Sequence, residues 1–101
     1  MKQVYVIPEE GLAAAIADIV PLPGSKRYFV ITRINVMEKF RGKGYGTRIL
    51  NMILEDADKE GVILLLEPVP SGGLSDKELI AWYTRHGFEW GTWHMKRKPH
   101  E

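Results

Sequence analysis

The sequence predicts an α/β domain in which short strands alternate with amphipathic helices. Three observations carry that prediction. Tyr28 to Val36 has the alternating apolar pattern of a strand, and it leads into a glycine-rich turn, Arg41-Gly42-Lys43-Gly44-Tyr45-Gly46. An amphipathic stretch begins directly afterwards at Thr47. Val62 to Leu66 is then a continuous apolar run, as expected for a strand buried on both faces of a sheet flanked by helices.

Taken in order, Val4 to Ile7 reads as a short strand. Pro8 opens a predicted helix in which Leu12, Ile16, Ile19 and Val20 recur on one side, and Pro21, Pro23 and Gly24 end it. Within Tyr28 to Val36, alternation sets Val30, Ile34 and Val36 on one face and Phe29 and Ile31 on the other. Beyond the glycine turn, Ile49, Leu50, Ile53, Leu54 and Ala57 fall at helical spacing, Glu55 and Lys59 support the exposed face, and Gly61 is a helix stop. Pro68, Pro70, Gly72 and Gly73 predict a loop after the apolar run. Ser75 and Glu78 have the spacing of a capping box, Leu79, Ile80 and Tyr83 give the next helix an inner side, and Gly87 ends it. Thr92 to Lys98 reads as a last strand. There is no internal repeat, linker or low-complexity segment.

Composition narrows the function classes. The 101 residues suit a single domain spanning 1–101, which at this size buries about 65% of its unfolded surface. With 14 basic against 13 acidic residues the net charge is +1, so wholesale nucleic-acid binding is not implied. The absence of cysteine excludes disulfides, thiolate catalysis and the commonest zinc frameworks, and the three histidines are scattered, so no metal is assigned. Leu12 to Val20 is too short to span a bilayer, is interrupted by Asp18, and follows Glu9 and Glu10 where a signal peptide carries positive charge. The expected location is the cytoplasm, with no membrane partner.

The glycine turn carries the clearest chemistry. Glycines at alternating positions before a helix leave backbone amides uncovered, so several N–H groups and the positive helix end can surround an anion. The expected ligand therefore carries phosphates. A Walker loop needs a hydroxyl residue after its Gly-Lys to bind magnesium, and here Lys43 is followed by Gly44. A dinucleotide fingerprint places its glycines tightly against the strand, whereas Met37 to Arg41 intervene here, although Glu67 lies about where a ribose-binding acid belongs.

At these residues the chain resembles the GNAT superfamily of N-acetyltransferases. Arg41, Gly44 and Gly46 match its signature of Arg or Gln, two residues, Gly, one residue, then Gly or Ala, and Ile34-Asn35-Val36 resembles the strand end before that loop. A second match lies 37 residues after Gly46: Ala81 to Phe88 resembles the family's helix with a tyrosine, here Tyr83, four residues before Gly-Phe. Met95 to Pro99 looks like its final strand. The resemblance covers about Arg27 to Pro99.

The resemblance implies a mixed, mostly antiparallel sheet, split at the cofactor site and flanked by helices, with a shortened amino-terminal half. It implies acetyl-CoA as cosubstrate and transfer of its acetyl group to a primary amine by direct attack in a ternary complex. The cofactor-binding residues it implies are Ile34 and Val36 along the strand and Arg41, Gly42, Lys43, Gly44, Tyr45, Gly46 and Thr47 around the pyrophosphate. The chemistry agrees with this: a backbone N–H near Val36 is the natural donor to the developing oxyanion, and the Tyr83 hydroxyl is placed to supply or share a proton as the thiolate leaves. Glu67 is the first choice of base, with Glu38, His86 and a water chain as alternatives. The acceptor class stays open, from small amines to peptides.

Two departures from the family matter. Only 40 residues precede Arg41, so the acceptor side is open or completed by another subunit, and Asp76 stands where many members have an asparagine contacting CoA. Ten aromatic residues are many for so small a core, and a homodimer is the expected way to cover them. Trp82, Trp90 and Trp93 suit the lining of an acceptor cleft. Plainer readings stand beside these: Tyr83 as a core residue, Glu67 as a strand-end ligand of local backbone, and the three tryptophans as core or interface. Lys43 and Arg48 read most simply as solvated charges near phosphates, and Lys96, Arg97 and Lys98 as a solvated strand end. A CoA-binding module without catalysis and a small protein or nucleic-acid interaction protein are the alternative functions.

Overall fold

Three antiparallel strands run in succession through residues 4–36, and their hydrogen bonding decides where the rest of the chain packs. The computed structural model describes residues 1–69 and 74–100. Strand β1 (Val4–Glu9) turns through Glu10 and Gly11, both at positive φ, into β2 (Leu12–Pro21). Two left-handed residues between paired strands match the strands' own twist, which is why glycine suits the second position. The predicted helix over Leu12 to Val20 is therefore a strand. Its apolar residues fit a helical period, but β2 pairs along its length with β1 on one side and β3 (Tyr28–Val36) on the other. Ala15 and Ala17 are fully buried in the core, where small side chains let the first long helix lie close to the sheet.

A β-bulge sits where the register shifts between Asp18 and Ile19, leaving Thr32 as the extra residue of β3. It corrects the expected facing of β3. Phe29 and Ile31 pack on the core before the bulge, and Ile34 and Val36 pack on the same core after it. Val30 faces the opposite side.

A short 3-10 turn (Glu38–Phe40) buries Phe40 and leads to helix α1 (Tyr45–Glu60). Its apolar stripe, Ile49, Leu50, Ile53, Leu54 and Ala57, is buried as its spacing predicts, and Gly61 caps its end. β4 (Ile63–Leu66) then pairs parallel to β3, among the described residues the only parallel pair in a six-stranded sheet ordered β1-β2-β3-β4-β6-β5. Of the predicted loop after β4, Pro70, Gly72 and Gly73 lie outside the described residues. Helix α2 (Asp76–Arg85) opens on the predicted capping box: Ser75 Oγ accepts from the Glu78 N–H, and Glu78 returns a bond to the Ser75 N–H. The chain closes with β5 (Glu89–Trp90) and β6 (Met95–Arg97).

Both helices cover one face of the sheet, and a single buried cluster joins Tyr5, Ile19, Leu50, Ile53, Leu64, Tyr83, Phe88 and Met95. β4 is thus not helix-covered on both sides: Leu64 and Leu66 are buried, whereas Leu65 is half-exposed on the other face. Arg97 likewise corrects the reading of a solvated basic strand end. It is 4% exposed, holds both Asp58 carboxylate oxygens (2.9 and 3.2 Å), and donates from Nε to the His86 carbonyl. The guanidinium beside Asp58 holds that carboxyl below its usual range. One side chain thereby ties β6 to α1 and to the end of α2.

Candidate active site

The site is built where β3 outruns its neighbour. β3 and β4 are paired only from Tyr28 beside Ile63 to Ile31 beside Leu66; β4 ends there, while β3 continues to Val36. The Met37 N–H donates to the Ala14 carbonyl at 2.8 Å. In an antiparallel ladder the backbone groups alternate sides, so those of Ile34 and Val36 point away from β2, toward the space β4 has vacated. The Val36 carbonyl confirms the direction by accepting from Arg41 Nε at 3.0 Å. The bulge at Thr32 sets this phase.

The start of α1 faces the same space. Gly44 holds the N-cap position at φ 84°, in the left-handed region, and no side chain caps the helix. No acidic residue occupies the first turn. The first intrahelical bond joins the Arg48 N–H to the Gly44 carbonyl, which leaves the preceding amides of the turn without helical partners. Such an end attracts anions through its free N–H groups and its dipole. Arg41 and Arg48 add positive charge beside it, Arg48 lying 5.1 Å from the Tyr45 ring centre.

A cleft of about 220 Å³ lies between these parts. Of the sequence-predicted binding residues, Ile34, Val36, Arg41, Gly42, Gly44, Tyr45, Gly46 and Thr47 all line it, together with Tyr83. Lys43 does not; its Nζ lies 5.9 Å from the Phe40 ring centre. Trp82, read from sequence as acceptor-cleft lining or, more plainly, core or interface, forms a wall of this cleft and donates from Nε1 to Thr47 Oγ1 at 3.2 Å, binding α2 to the first turn of α1. Its place one residue before Tyr83 was the available signal.

A second cavity of about 350 Å³ opens through the gap between β3 and β4 and contains Glu67. Ile34 and Tyr83 border both spaces. Tyr83 is 7% exposed and its ring packs edge-on against Phe88 at 5.4 Å; among the described residues its hydroxyl has no hydrogen-bond partner. Burial pushes its pKa up to about 12, because the low-dielectric surroundings disfavour the phenolate. The other candidate bases lie elsewhere: Glu38 is in the exposed 3-10 turn, and His86 Nδ1 donates to the Trp82 carbonyl at 2.7 Å behind the cleft. Asp76 occupies the first position of α2. Among the described residues no group of three or more His, Asp or Glu is placed to hold a metal, and no helix is long and apolar enough to cross a membrane.

The chain matches the family described as acetyltransferase (GNAT) domain over residues 2–90. It belongs to that family. GNAT domains carry out acetyl-CoA-dependent acetylation, and the six-stranded, mostly antiparallel sheet with its two helices is the GNAT fold. Solved structures agree in fold. The ribosomal-protein-S18-alanine N-acetyltransferase from Escherichia coli superposes with a TM-score of 0.79 at 20% identity, over 97% of this GNAT domain and 69% of that chain. N-acetylglutamate synthase from Neisseria gonorrhoeae, complexed with coenzyme A and L-arginine, gives 0.76 at 16% identity over 98% of this chain and 25% of that one. The anti-CRISPR protein AcrVA5 gives 0.69 at 18% identity over 94% of this chain and 98% of its own, so a GNAT domain this short has a structural counterpart. No curated protein matches the sequence.

Proposed function

We propose that this chain transfers the acetyl group of acetyl-CoA to a primary amine by direct attack, with both substrates bound together. One observation carries the reading: the cleft beside the bare start of α1 meets the Glu67 cavity at the gap between β3 and β4, with Tyr83 at the junction. The residues present fit CoA. Backbone N–H groups between Gly42 and Thr47 receive the pyrophosphate, with Arg41, Lys43 and Arg48 contributing positive charge nearby. The unpaired edge of β3 at Ile34 and Val36 receives the pantetheine arm as a further strand does.

The Val36 N–H faces the thioester oxygen and stabilises the charge that grows there as the amine adds. Glu67 lies on the far side and accepts the proton lost by the amine. The C–N bond forms and the C–S bond breaks. Tyr83 acts on the leaving sulfur. With a thiol pKa near about 8.5 against a phenol raised to about 12, complete transfer from Tyr83 runs uphill, so its hydroxyl stabilises the thiolate as a hydrogen-bond donor while solvent supplies the proton.

Acetyl-CoA at about 100 times its Kd is expected to stabilise the chain by about 2.7 kcal/mol, a rise in Tm of roughly 10 to 20 °C, and NADH is expected to give none. Thiol release from acetyl-CoA across a set of amines then tests transfer; binding without release on any acceptor would leave a CoA-binding module instead. The chain is also expected to pair with a second copy. β1 is an edge strand, and its Val4 and Val6 are 50% and 41% exposed. Light scattering at micromolar concentration that shows only monomer overturns the pairing.

A further inference from the structure

A third cavity, of about 250 Å³, lies on the face of the sheet that carries no helix. Val30, Leu65, Trp93 and His94 line it, and it meets the second cavity at Leu66 and Glu67, which border both. Trp93 is 80% exposed, the most exposed large apolar side chain among the described residues. The backbone that carries it is fixed. The turn between β5 and β6 closes through a bond from the Gly91 N–H to the His94 carbonyl at 2.7 Å, and a side chain at Gly91 would meet that carbonyl at 3.1 Å. An indole presented to water by a tight turn, beside an apolar floor and one carboxylate, offers an aromatic ligand a face to pack on.

We propose that this third cavity binds the substituent of the acceptor, and that the acceptor is a monoamine carrying an aromatic or bulky apolar group. The inference rests on the acetyltransfer reading and names its substrate class. The size fits, since an apolar cavity of about 150 Å³ already accepts benzene. Connectivity places the amine: with the ring against Trp93, Val30 and Leu65, the nitrogen reaches Glu67, the only carboxylate among the described residues bordering the second and third cavities. Charge disfavours a polyamine. Among the described residues the other ionisable groups lining those two cavities are Tyr83, kept protonated by burial, Arg33, already paired with Asp18 at 2.7 Å, and His94; beside them in the ladder Lys96 stands next to Leu65, and the further carboxylate there, Glu89, lies opposite that lysine, so a second ammonium meets no unopposed negative charge.

The test titrates CoA-loaded protein with phenethylamine, ethylamine and spermidine, and measures transfer from acetyl-CoA to each. Phenethylamine is expected to bind about tenfold or more tighter than the other two, the increment expected for burying one aromatic group. Trp93→Ala is expected to remove that preference, lowering kcat/KM for phenethylamine about tenfold while ethylamine and the KM for acetyl-CoA stay unchanged. Trp93→Phe keeps most of the preference, and Trp90→Ala, on the edge strand and 53% exposed, keeps all of it. Preference for spermidine, equal loss on all amines in Trp93→Ala, or no effect of that substitution overturns the inference. Failure of the underlying reading looks different: no acetyl-CoA stabilisation and no thiol release with any amine, while Trp93-dependent binding of phenethylamine still upholds the cavity.

Discussion

Where α2 begins, Ser75 and Glu78 each satisfy the other's backbone N–H; where α1 begins, Gly44 offers no side chain and the first amides are left open. The two starts belong to neighbouring helices, joined by the bond from Trp82 to Thr47. Among the described residues the capped start lines none of the three cavities above, and the bare one lines the cleft proposed to take the CoA phosphates. A glycine at the N-cap forgoes only about a few tenths of a kcal/mol against a capping side chain, and on the proposed reading a bound anion supplies what the side chain does not. On the proposed reading, the difference separates a helix end that serves the fold from one kept open for a ligand.

The largest expected effect concerns what the capped helix carries. Tyr83→Phe keeps the ring among Trp82 and Phe88 and removes the hydroxyl, so turnover is expected to fall about 10²- to 10³-fold, roughly 2.7 to 4 kcal/mol, as for loss of one donor to a developing charge. Steady-state kinetics should place the loss in kcat, with acetyl-CoA binding preserved. Unchanged turnover, with chemistry rate-limiting, returns Tyr83 to the core.

Gly46→Glu sets the two roles of the α1 start against each other. A Cβ there makes only ordinary contacts, 3.7 Å from Trp82 and from Val36, so the fold is expected to survive. A carboxylate in the first turn complements the helix dipole and is expected to hold or raise the Tm of the free protein, by about 0.3 to 1 kcal/mol. The same carboxylate fills and repels at the phosphate position, so the roughly 10 to 20 °C rise with acetyl-CoA is expected to vanish. If the variant binds as the parent does, the bare helix start is not the site.

Ser75→Ala is the converse. It is expected to cost about 1 kcal/mol, lowering Tm by about 4 to 8 °C, with the rise on adding acetyl-CoA intact. A loss of ligand response from this substitution would collapse the distinction between the two starts.

The smallest effects follow pH. The bond from the Ser75 N–H holds the Glu78 carboxyl below its usual range, and Arg97 does the same for Asp58. Both contributions are present above the ordinary carboxylate pKa and are lost as pH falls through the lowered values, so the acid limb of stability is expected to be shallower in Glu78→Gln, which removes the titrating group. Tyr83 works at the other end with the opposite sign. Its pKa, raised from 10.0 to about 12, lets the folded state keep the proton, so stability falls as pH rises through that interval. Melting curves of Tyr83→Phe across the same range should show a smaller alkaline loss.

Much of this was legible because it depends on neighbours in sequence. The capping box, the stripe of α1 with its glycine stop, and the limits of β3 at Tyr28 and Val36 are all local. So is the glycine turn, whose residues from Arg41 to Thr47, Lys43 excepted, meet in one cleft with Ile34 and Val36. What escaped depends on distant partners. β2 contains Ala13-Ala14-Ala15 and a helical apolar spacing, and only pairing with β1 and β3 makes it a strand; the Glu10-Gly11 turn was the local hint. Thr32 gives no sign of the bulge that reverses the phase of β3. Arg97 looks like its basic neighbours until Asp58, 39 residues earlier, is brought against it.

The sheet order also dictates when the chain can finish folding. β6, last along the chain, lies inside the sheet between β4 and β5. Until Met95 to Arg97 dock, one edge of β4 is bare, and its four residues Ile63 to Leu66 are all large and apolar. A short apolar strand with an open ladder recruits other chains as readily as its own. During synthesis, the interval between the emergence of β4 and the arrival of β6 is therefore when this protein is most exposed to aggregation, and chains interrupted within it are expected in the insoluble fraction.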